Sequence, residues 1–352
     1  PNREALMKMI ESKKQQYLEQ VIDFKSEDKN FTPQSLVDKM ENTVVPQTVG
    51  EYLLKQIEIM KVEKRIGNAK VYRSTYNSLF AFCGNLNISF ASIDSAWLRR
   101  YETFLRSREN SSNTIGIRFR ELRALYNKAI EDNLVHEKNY PFKRFKVARF
   151  SKKTSKRAIK KEDIKRIMNV DLRLITKYHS PLLYLSKDLF LFSYLGCGIN
   201  LIDIAYLRYE NIVENRLRFN RHKTGQPINF ALQGQLREII LKYAKEDCNP
   251  KDFIFPILDR KIHKTQQQQN DRIIKVTKGI NKNLKKIGQF LNLSIPITTY
   301  VARHSFATVL KRSGVNISII SEALGHTNLL TTQYYLDSFD NEQIDAAMKN
   351  LL

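Results

Sequence analysis

Apolar side chains recur at helical spacing through most of the chain, and this periodicity restricts the fold more than any other feature. In the first half this spacing predicts three apolar helix faces, which span Val49 to Met60, Trp97 to Leu105 and Ile115 to Ile130. Asp94 or Ser95 could cap the second of these helices. The spacing predicts an all-helical domain in this half.

The second half combines helices with one segment that alternates like a strand. A nearly continuous apolar run from Leu183 to Leu195 indicates a buried helix, and helical spacing returns from about Val301. Residues 215–232 alternate and turn at Thr224-Gly225, which predicts a β-hairpin. The polar stretch TQQQQND, residues 265–271, is predicted to be a loop. The fold class is therefore mainly α with a small β-sheet or hairpin.

The chain divides into segments of different character. Its 352 residues exceed the roughly 250 at which single cores stop growing. Residues 142–163 are dense in Lys and Arg and lack helical apolar spacing, so they are interpreted as an interdomain linker. We expect a linker helix at 1–44, a helical domain at 45–148, a basic linker at 149–160 and a second domain at 161–352.

The charge balance points to a polyanionic partner. The chain has 59 Lys and Arg against 36 Asp and Glu, a formal net charge of +23. No apolar run approaches the roughly 18 to 20 residues of a membrane-spanning helix, and no signal-peptide pattern is present. We therefore expect a soluble, cytoplasmic protein with no membrane partner, although a basic surface could also bind an anionic membrane, and this alternative stays open. The three cysteines are far apart and form no C-x-x-C pair, which indicates neither disulfides nor a zinc site.

Several cations are candidates for DNA contact, although a basic helix face or linker can also be merely solvated. Two belong to the outer face of the helix beginning near Ile115, and four belong to the basic linker. They are Arg118, Arg123, Lys152, Lys153, Lys156 and Arg157.

The second half also contains groups suited to cutting a nucleic-acid backbone without metal. That reaction needs a nucleophile, cations for the non-bridging oxygens and an acid for the leaving oxygen. The chain has no H-E-x-x-H, G-x-x-x-x-G-K-[ST] or G-x-S-x-G pattern and no carboxylates at metal-binding spacing. It has instead an arginine, a histidine and a tyrosine in order within TTYVARHSFATVLKRSGVNISIISEALGHTNLLTTQYY.

This segment resembles the catalytic core of the tyrosine recombinases, the phage integrase family, and especially integrases of mobile elements from Bacteroides-like bacteria. The resemblance covers about residues 45–352. The family has an H-x-x-R-H-[ST]-F-A-T box, then L-G-H, and a nucleophilic tyrosine nine residues after that histidine. Here YVARHSFAT supplies Arg303, LGH supplies His326, and the nine-residue position is Tyr335, not Tyr334.

The resemblance implies a role for each matching residue. Tyr335 would attack the scissile phosphate and form a 3′-phosphotyrosyl enzyme, with no cofactor and no metal. Arg303 would bind the non-bridging oxygens, and His326 would hydrogen-bond the phosphate or help manage the tyrosine proton. Lys223, beside the hairpin turn, would protonate the leaving 5′-oxygen. His304 is expected to support the site rather than to contact phosphate.

Two positions depart from the family pattern. Asn200 stands where the first arginine is expected, and an amide donates hydrogen bonds without a charge. We hypothesise that Lys187 supplies the missing cation, with Arg208 and Arg221 as alternatives. Tyr300 replaces the first histidine of H-x-x-R, so only a hydrogen-bonding role is carried over to it.

The resemblance also implies an architecture and partners. A helical, SAM-like core-binding domain and a mixed α/β catalytic domain would close as a C-shaped clamp around double-stranded DNA. Residues 1–44 could be the remnant of an arm-binding domain, and the tail at 339–352 would dock on a neighbouring protomer or in cis. A homotetramer on two paired sites would fit strand exchange in the nucleoid, joined by a host DNA-bending protein and an excision factor.

The expected function is site-specific recombination, for integration and excision of a mobile element. Inversion of chromosomal segments uses the same chemistry and stays open as an alternative. A DNA-binding protein that has lost catalysis is a second alternative, motivated by Asn200 and Tyr300.

Overall fold

A computed structural model describes residues 2–26, 47–152, 157–176, 178, 180–244, 247 and 249–336. The chain forms two compact units that divide between Lys152 and Lys153. Each unit has its own apolar core.

The first unit is helical throughout its described part, as its periodicity predicts. Its helices are α1 Asn2–Ser26, α2 Val49–Val62, α3 Ile66–Cys83, α4 Ser95–Ser107 and α5 Ser112–Glu131. Four short 3-10 helices occupy Phe90–Ser92, Glu137–Asn139, Pro141–Lys143 and Val147–Phe150.

The three predicted apolar faces build the core of this unit. They lie on α2, α4 and α5, and aromatic rings such as Tyr101 and Phe119 meet edge to face at 5.5 Å between centroids. Asp94, rather than Ser95, caps α4, because its carboxylate accepts a hydrogen bond of 2.6 Å from the Trp97 amide.

The segment 142–163 is not a linker over its whole length. Phe142, Phe145, Val147 and Phe150 are buried in the core of the first unit, and Phe150 stacks on Phe119 at 5.3 Å. The interpretation as a linker is therefore wrong up to Phe150. The sequence pattern did not reveal this burial because the segment forms short 3-10 helices, whose apolar residues do not follow an α-helical repeat.

The second unit combines helices with one small sheet. Its helices are α6 Lys161–Asn169, α7 Pro181–Leu195, α8 Leu201–Tyr206, α9 Gly234–Leu241, α10 Gln266–Phe290, α11 Thr299–Arg312, α12 Ile317–Ala323 and α13 Leu329–Tyr335. Its strands are β1 Ile212–Val213, β2 Arg216–Asn220 and β3 Pro227–Ala231, and further 3-10 helices lie at Leu172–Leu174 and Tyr209–Asn211.

The predicted buried helix and hairpin are both present. Helix α7 has Leu189, Phe190 and Phe192 in the core and packs against α10 and α11. Strands β2 and β3 pair antiparallel, and the three strands of the sheet lie in the order β1-β2-β3. Gly225 in the connecting turn has a φ of +68°, a conformation that glycine adopts without strain.

The glutamine-rich stretch is helical, so its prediction as a loop is wrong. Thr265 caps α10: its hydroxyl accepts from the Gln268 amide at 3.2 Å, and the Gln268 side chain accepts from the Thr265 amide at 3.0 Å. This capping box satisfies two amides at the helix start, so the polar run begins a helix. Over the described ranges, no helix is both long and apolar enough to cross a membrane.

Candidate active site

Arg303 lies on α11 and is almost completely buried, with 2% of its surface exposed. Its Nη1 donates to the Gly198 carbonyl at 2.7 Å, and its Nη2 donates to the Leu324 carbonyl at 2.6 Å. A buried guanidinium is stable only when its donors are satisfied. These two carbonyls, which come from distant parts of the chain, fix its orientation.

His326 follows α12 and contacts Arg303 directly. Its Nε2 is 3.0 Å from Nη2 of Arg303, and its Nδ1 is 2.8 Å from Oγ1 of Thr332. Burial and, to a smaller extent, the positive charges of Arg303, Arg221 and Lys223 together lower the pKa of His326 to about 4. The imidazole is therefore neutral at physiological pH.

Arg221 immediately follows β2 and is a second buried guanidinium beside this pair. Its Nη1 donates to the Gly325 carbonyl at 2.7 Å, and its Nε lies 3.8 Å from a carboxylate oxygen of the buried Asp203. Arg221 and Arg303 line the same small cavity. Gly325 has a φ of +62°, and a Cβ there would lie 2.5 Å from Cδ of Arg221, so only glycine allows this approach.

Lys223 lies in the exposed turn between β2 and β3. The adjacent His222 holds this turn in two ways: its amide donates to Asp203 Oδ1 at 2.8 Å, and its ring stacks on Tyr206 at 4.7 Å. Gln266 in turn donates to the Tyr206 hydroxyl at 2.9 Å. The turn that carries Lys223 is thus attached to α8 and α10.

Tyr335 is the last residue of α13, which begins shortly after His326. Asn328 caps this helix by accepting from the Leu330 amide at 2.8 Å. Thr332 and Leu336, on either side of Tyr335 in sequence, are buried. The side chains of Tyr334 and Tyr335 are outside the described residues.

Asn200, which stands where the family has its first arginine, and the cations that could replace that arginine lie in different parts of the second unit. Asn200, two residues after Gly198, is the N-cap residue of α8. Its carbonyl accepts a hydrogen bond of 3.0 Å from the Ile204 amide. Lys187 donates to the Val170 carbonyl at 3.1 Å, and Arg208 pairs with Glu210. Burial lowers the pKa of Lys187, and the charged groups that also act on this pKa do not include Arg303, Arg221 or His326.

The side chain of Tyr300 is exposed in the first turn of α11. Its ring meets that of His304 edge to face, with the centroids 4.7 Å apart. His304 therefore packs beside Tyr300, one helical turn along α11.

The predicted DNA-contacting cations are not equally exposed. Arg118 is partly exposed, and its guanidinium donates to the Ser74 hydroxyl at 2.6 Å. Arg123, Lys152 and Arg157 are exposed. Lys153 and Lys156 lie outside the described residues. Within the described ranges, no group of three or more His, Cys, Asp or Glu side chains is arranged to hold a metal ion.

Sequence comparison identifies the class of protein that this arrangement defines. A model of the phage integrase family matches residues 157–342, and a model of the phage integrase SAM-like domain matches residues 48–147. The chain belongs to the phage integrase family, as its motifs predicted. It is 30% identical over 154 residues to a tyrosine recombinase of Thermosipho africanus, covering 43% of this chain and 50% of that one. The chain thus spans about half the length of the first curated relatives that it matches.

Solved structures show the same fold at low sequence identity. A Tn1549 transposon integrase in complex with a circular intermediate DNA superposes with a TM-score of 0.59 at 15% identity, covering 86% of this chain and 99% of that chain. A lambda integrase tetramer bound to a Holliday junction superposes with a TM-score of 0.58 at 13% identity, covering 97% and 90%. These likenesses support the predicted mainly helical integrase fold.

Proposed function

We propose that the protein is a site-specific recombinase that cuts and rejoins double-stranded DNA through Tyr335. The observation that carries this proposal is the direct contact between the buried Arg303 and His326, followed by a helix that ends at Tyr335. A guanidinium that a neutral imidazole holds in one orientation can bind a phosphodiester.

The proposed reaction conserves the phosphodiester energy. The hydroxyl oxygen of Tyr335 attacks phosphorus and its proton is released to solvent, while a 3′-phosphotyrosyl bond forms and the bond to the 5′-oxygen breaks. Lys223 gives its proton to that leaving oxygen, which becomes a 5′-hydroxyl. Attack by a 5′-hydroxyl on the phosphotyrosyl bond then releases Tyr335 and rejoins DNA.

Two guanidinium groups would stabilise the charge on the non-bridging oxygens. Arg303 is one, and we assign the other to Arg221 because Asn200 carries no charge. The contacts of Arg221 favour it over Lys187: Arg221 donates next to His326, whereas Lys187 donates to the Val170 carbonyl. Tyr300, which is exposed, retains only a proposed hydrogen-bonding role.

We further propose integration and excision of a mobile element as the process served. The similarity to a transposon integrase supports it, whereas no described feature of the chain favours inversion. Asn200 and Tyr300 remain the features that would favour a loss of catalysis. Exposed cations, including Arg123, Lys152 and Arg157, would contact the DNA backbone. Assembly as a tetramer is supported by the likeness to the lambda integrase tetramer. A DNA-bending protein and an excision factor stay predictions.

A covalent trapping assay tests the proposal. The protein is incubated in EDTA with nicked duplexes that carry candidate core sites from the ends of the associated element, and protein-DNA adducts are separated under denaturing conditions. We expect an adduct with the wild type and with Tyr334→Phe, and none with Tyr335→Phe. An adduct that persists in Tyr335→Phe would refute the assignment of the nucleophile. DNA binding without any adduct would favour a protein that no longer cuts.

A further inference from the structure

Thr332 links the helix of the proposed nucleophile to Arg303 and His326, the proposed phosphate-binding pair. It lies on α13, three residues before Tyr335, and is completely buried. Its Oγ1 is 2.8 Å from Nδ1 of His326 and 2.8 Å from Oγ of Ser321 on α12. One hydroxyl therefore connects three successive segments of the second unit.

The donors in this chain of hydrogen bonds can be assigned from chemistry. Arg303 can only donate, so Nε2 of His326 must accept and carries no proton. The proton of the neutral imidazole is then on Nδ1, which donates to Thr332. The Thr332 hydroxyl is left to donate to Ser321. Every group has one consistent role: the donor of Arg303 sets the tautomer of His326, and Thr332 on α13 supplies the acceptor that the buried Nδ1–H of this tautomer needs.

The surroundings of His326 make this arrangement depend on Thr332. The charged groups that act on the imidazole are Arg303 on α11, Arg221 after β2 and Lys223 in the turn, and all three are cations. They oppose protonation of the ring. If Thr332 did not accept from Nδ1, the ring could place its single proton on Nε2 instead, where it would face a donor of Arg303.

We propose that Thr332 is a positioning residue that couples the docking of α13 to the tautomer of His326. When α13 is docked, Thr332 holds the proton on Nδ1 and His326 supports Arg303. When α13 undocks, His326 loses its hydrogen bond to Thr332. The contact between His326 and Arg303 then changes at the same time as the position of Tyr335. The inference rests on the proposed function for its effect on cleavage, but its structural part can be measured without DNA.

Leu336 gives α13 a second point of attachment. It is 4% exposed and packs in a small apolar cluster with Ala307, Ile320 and Leu324. Loss of the Thr332 hydroxyl alone therefore leaves an apolar anchor at the other end. This makes a variant without the hydroxyl suited to testing the hydrogen bond rather than the fold.

The first test measures cleavage by matched variants. Thr332→Val removes the hydroxyl at nearly constant volume, Thr332→Ser keeps it, and Thr331→Val makes the same change at the exposed neighbour. We expect the rate of adduct formation to fall about 10- to 100-fold in Thr332→Val. Thr332→Ser and Thr331→Val should react at rates close to that of the wild type. Wild-type cleavage by Thr332→Val would overturn the proposal.

The second test reads the tautomer directly in the DNA-free protein. Nitrogen-15 spectra of histidine-labelled protein distinguish protonation at Nδ1 from protonation at Nε2, and His326→Gln identifies the signal among the six histidines. We expect Nδ1–H in the wild type and in Thr332→Ser, and a shift toward Nε2–H in Thr332→Val. Nε2–H in the wild type, or an unchanged spectrum in Thr332→Val, would overturn the coupling.

The two tests separate the two proposals. If the wild type forms no adduct on any site while the spectra follow the expected pattern, the recombinase function fails and the coupling stands. If the wild type forms an adduct but Thr332→Val changes neither rate nor spectrum, the function stands and the coupling fails. Thermal unfolding of all three variants, with Thr332→Ser as the reference, checks that they are folded.

Discussion

Arg221 and Arg303 donate to adjacent backbone carbonyls: Arg221 to Gly325 and Arg303 to Leu324, at 2.7 and 2.6 Å. The two arginines come from a hairpin and a helix, yet both use the turn that leads to His326. That turn therefore fixes the relative placement of two buried cations. This relationship is the physical basis for assigning to Arg221 the charge that Asn200 does not carry.

Replacing Arg221 by lysine should weaken cleavage more than removing Lys187. In Arg221→Lys the charge remains, but an ammonium cannot present the planar set of donors that meets both a carbonyl and a phosphate. We expect adduct formation to fall about 100-fold in Arg221→Lys and to stay near the wild-type rate in Lys187→Ala. Circular dichroism checks folding. A large loss in Lys187→Ala instead would return the role to that lysine.

Gly325→Ala should destabilise the protein more than Gly314→Ala does. Both glycines have positive φ, +62° and +80°, so both substitutions add backbone strain. Only at Gly325 would the new Cβ also meet Cδ of Arg221 at 2.5 Å, whereas Gly314 has open space around it. We expect an additional loss of about 1 to 3 kcal/mol in the free energy of unfolding at Gly325, measured with urea. Equal losses would show that the arginine side chain moves aside freely.

His326 should make the protein less stable as the pH falls. Its pKa is about 4 in the folded protein and near 6.5 in an unfolded chain, so between these values the unfolded state binds more protons. The contribution to stability is fully present above pH 6.5 and is lost as the pH falls toward 4. Urea unfolding at pH 7 and pH 5 should show a smaller loss for His326→Gln than for the wild type. The same loss in both proteins would contradict the lowered pKa.

The sequence predicted the elements whose buried residues follow a regular repeat. Helices α2, α4 and α5 and the hairpin were found because their apolar positions recur at the period of the element, and α7 was found from its nearly continuous apolar run. The failures lie where polarity or spacing is irregular. The glutamines after Thr265 look like a loop until the capping box is seen, and Phe150 lies in a 3-10 turn that has no long repeat.

The candidate site was predictable only as a set of motif positions. Arg303, His326 and Tyr335 were selected by their spacing, which says nothing about contacts. The burial of Arg221 and the proposed role of Thr332 depend on carbonyls and hydroxyls brought together by the folded chain, and Arg221 and Gly325 are 104 positions apart in sequence. The sequence signal for Thr332 was only its position in TTQYY, the segment that also contains the proposed nucleophile.

The hydrogen bonds of Arg303 also set an order for folding during synthesis. Its first partner, Gly198, lies 105 residues earlier in the chain, whereas Leu324 and His326 lie 21 and 23 residues later. A chain that emerges from the ribosome in the N-to-C direction therefore has Arg303 in place before two of its partners exist. Because a buried cation without partners is costly, α11 cannot settle until His326 has emerged. The second unit should consequently fold only after His326 has emerged, later than the first unit, which precedes it in the chain.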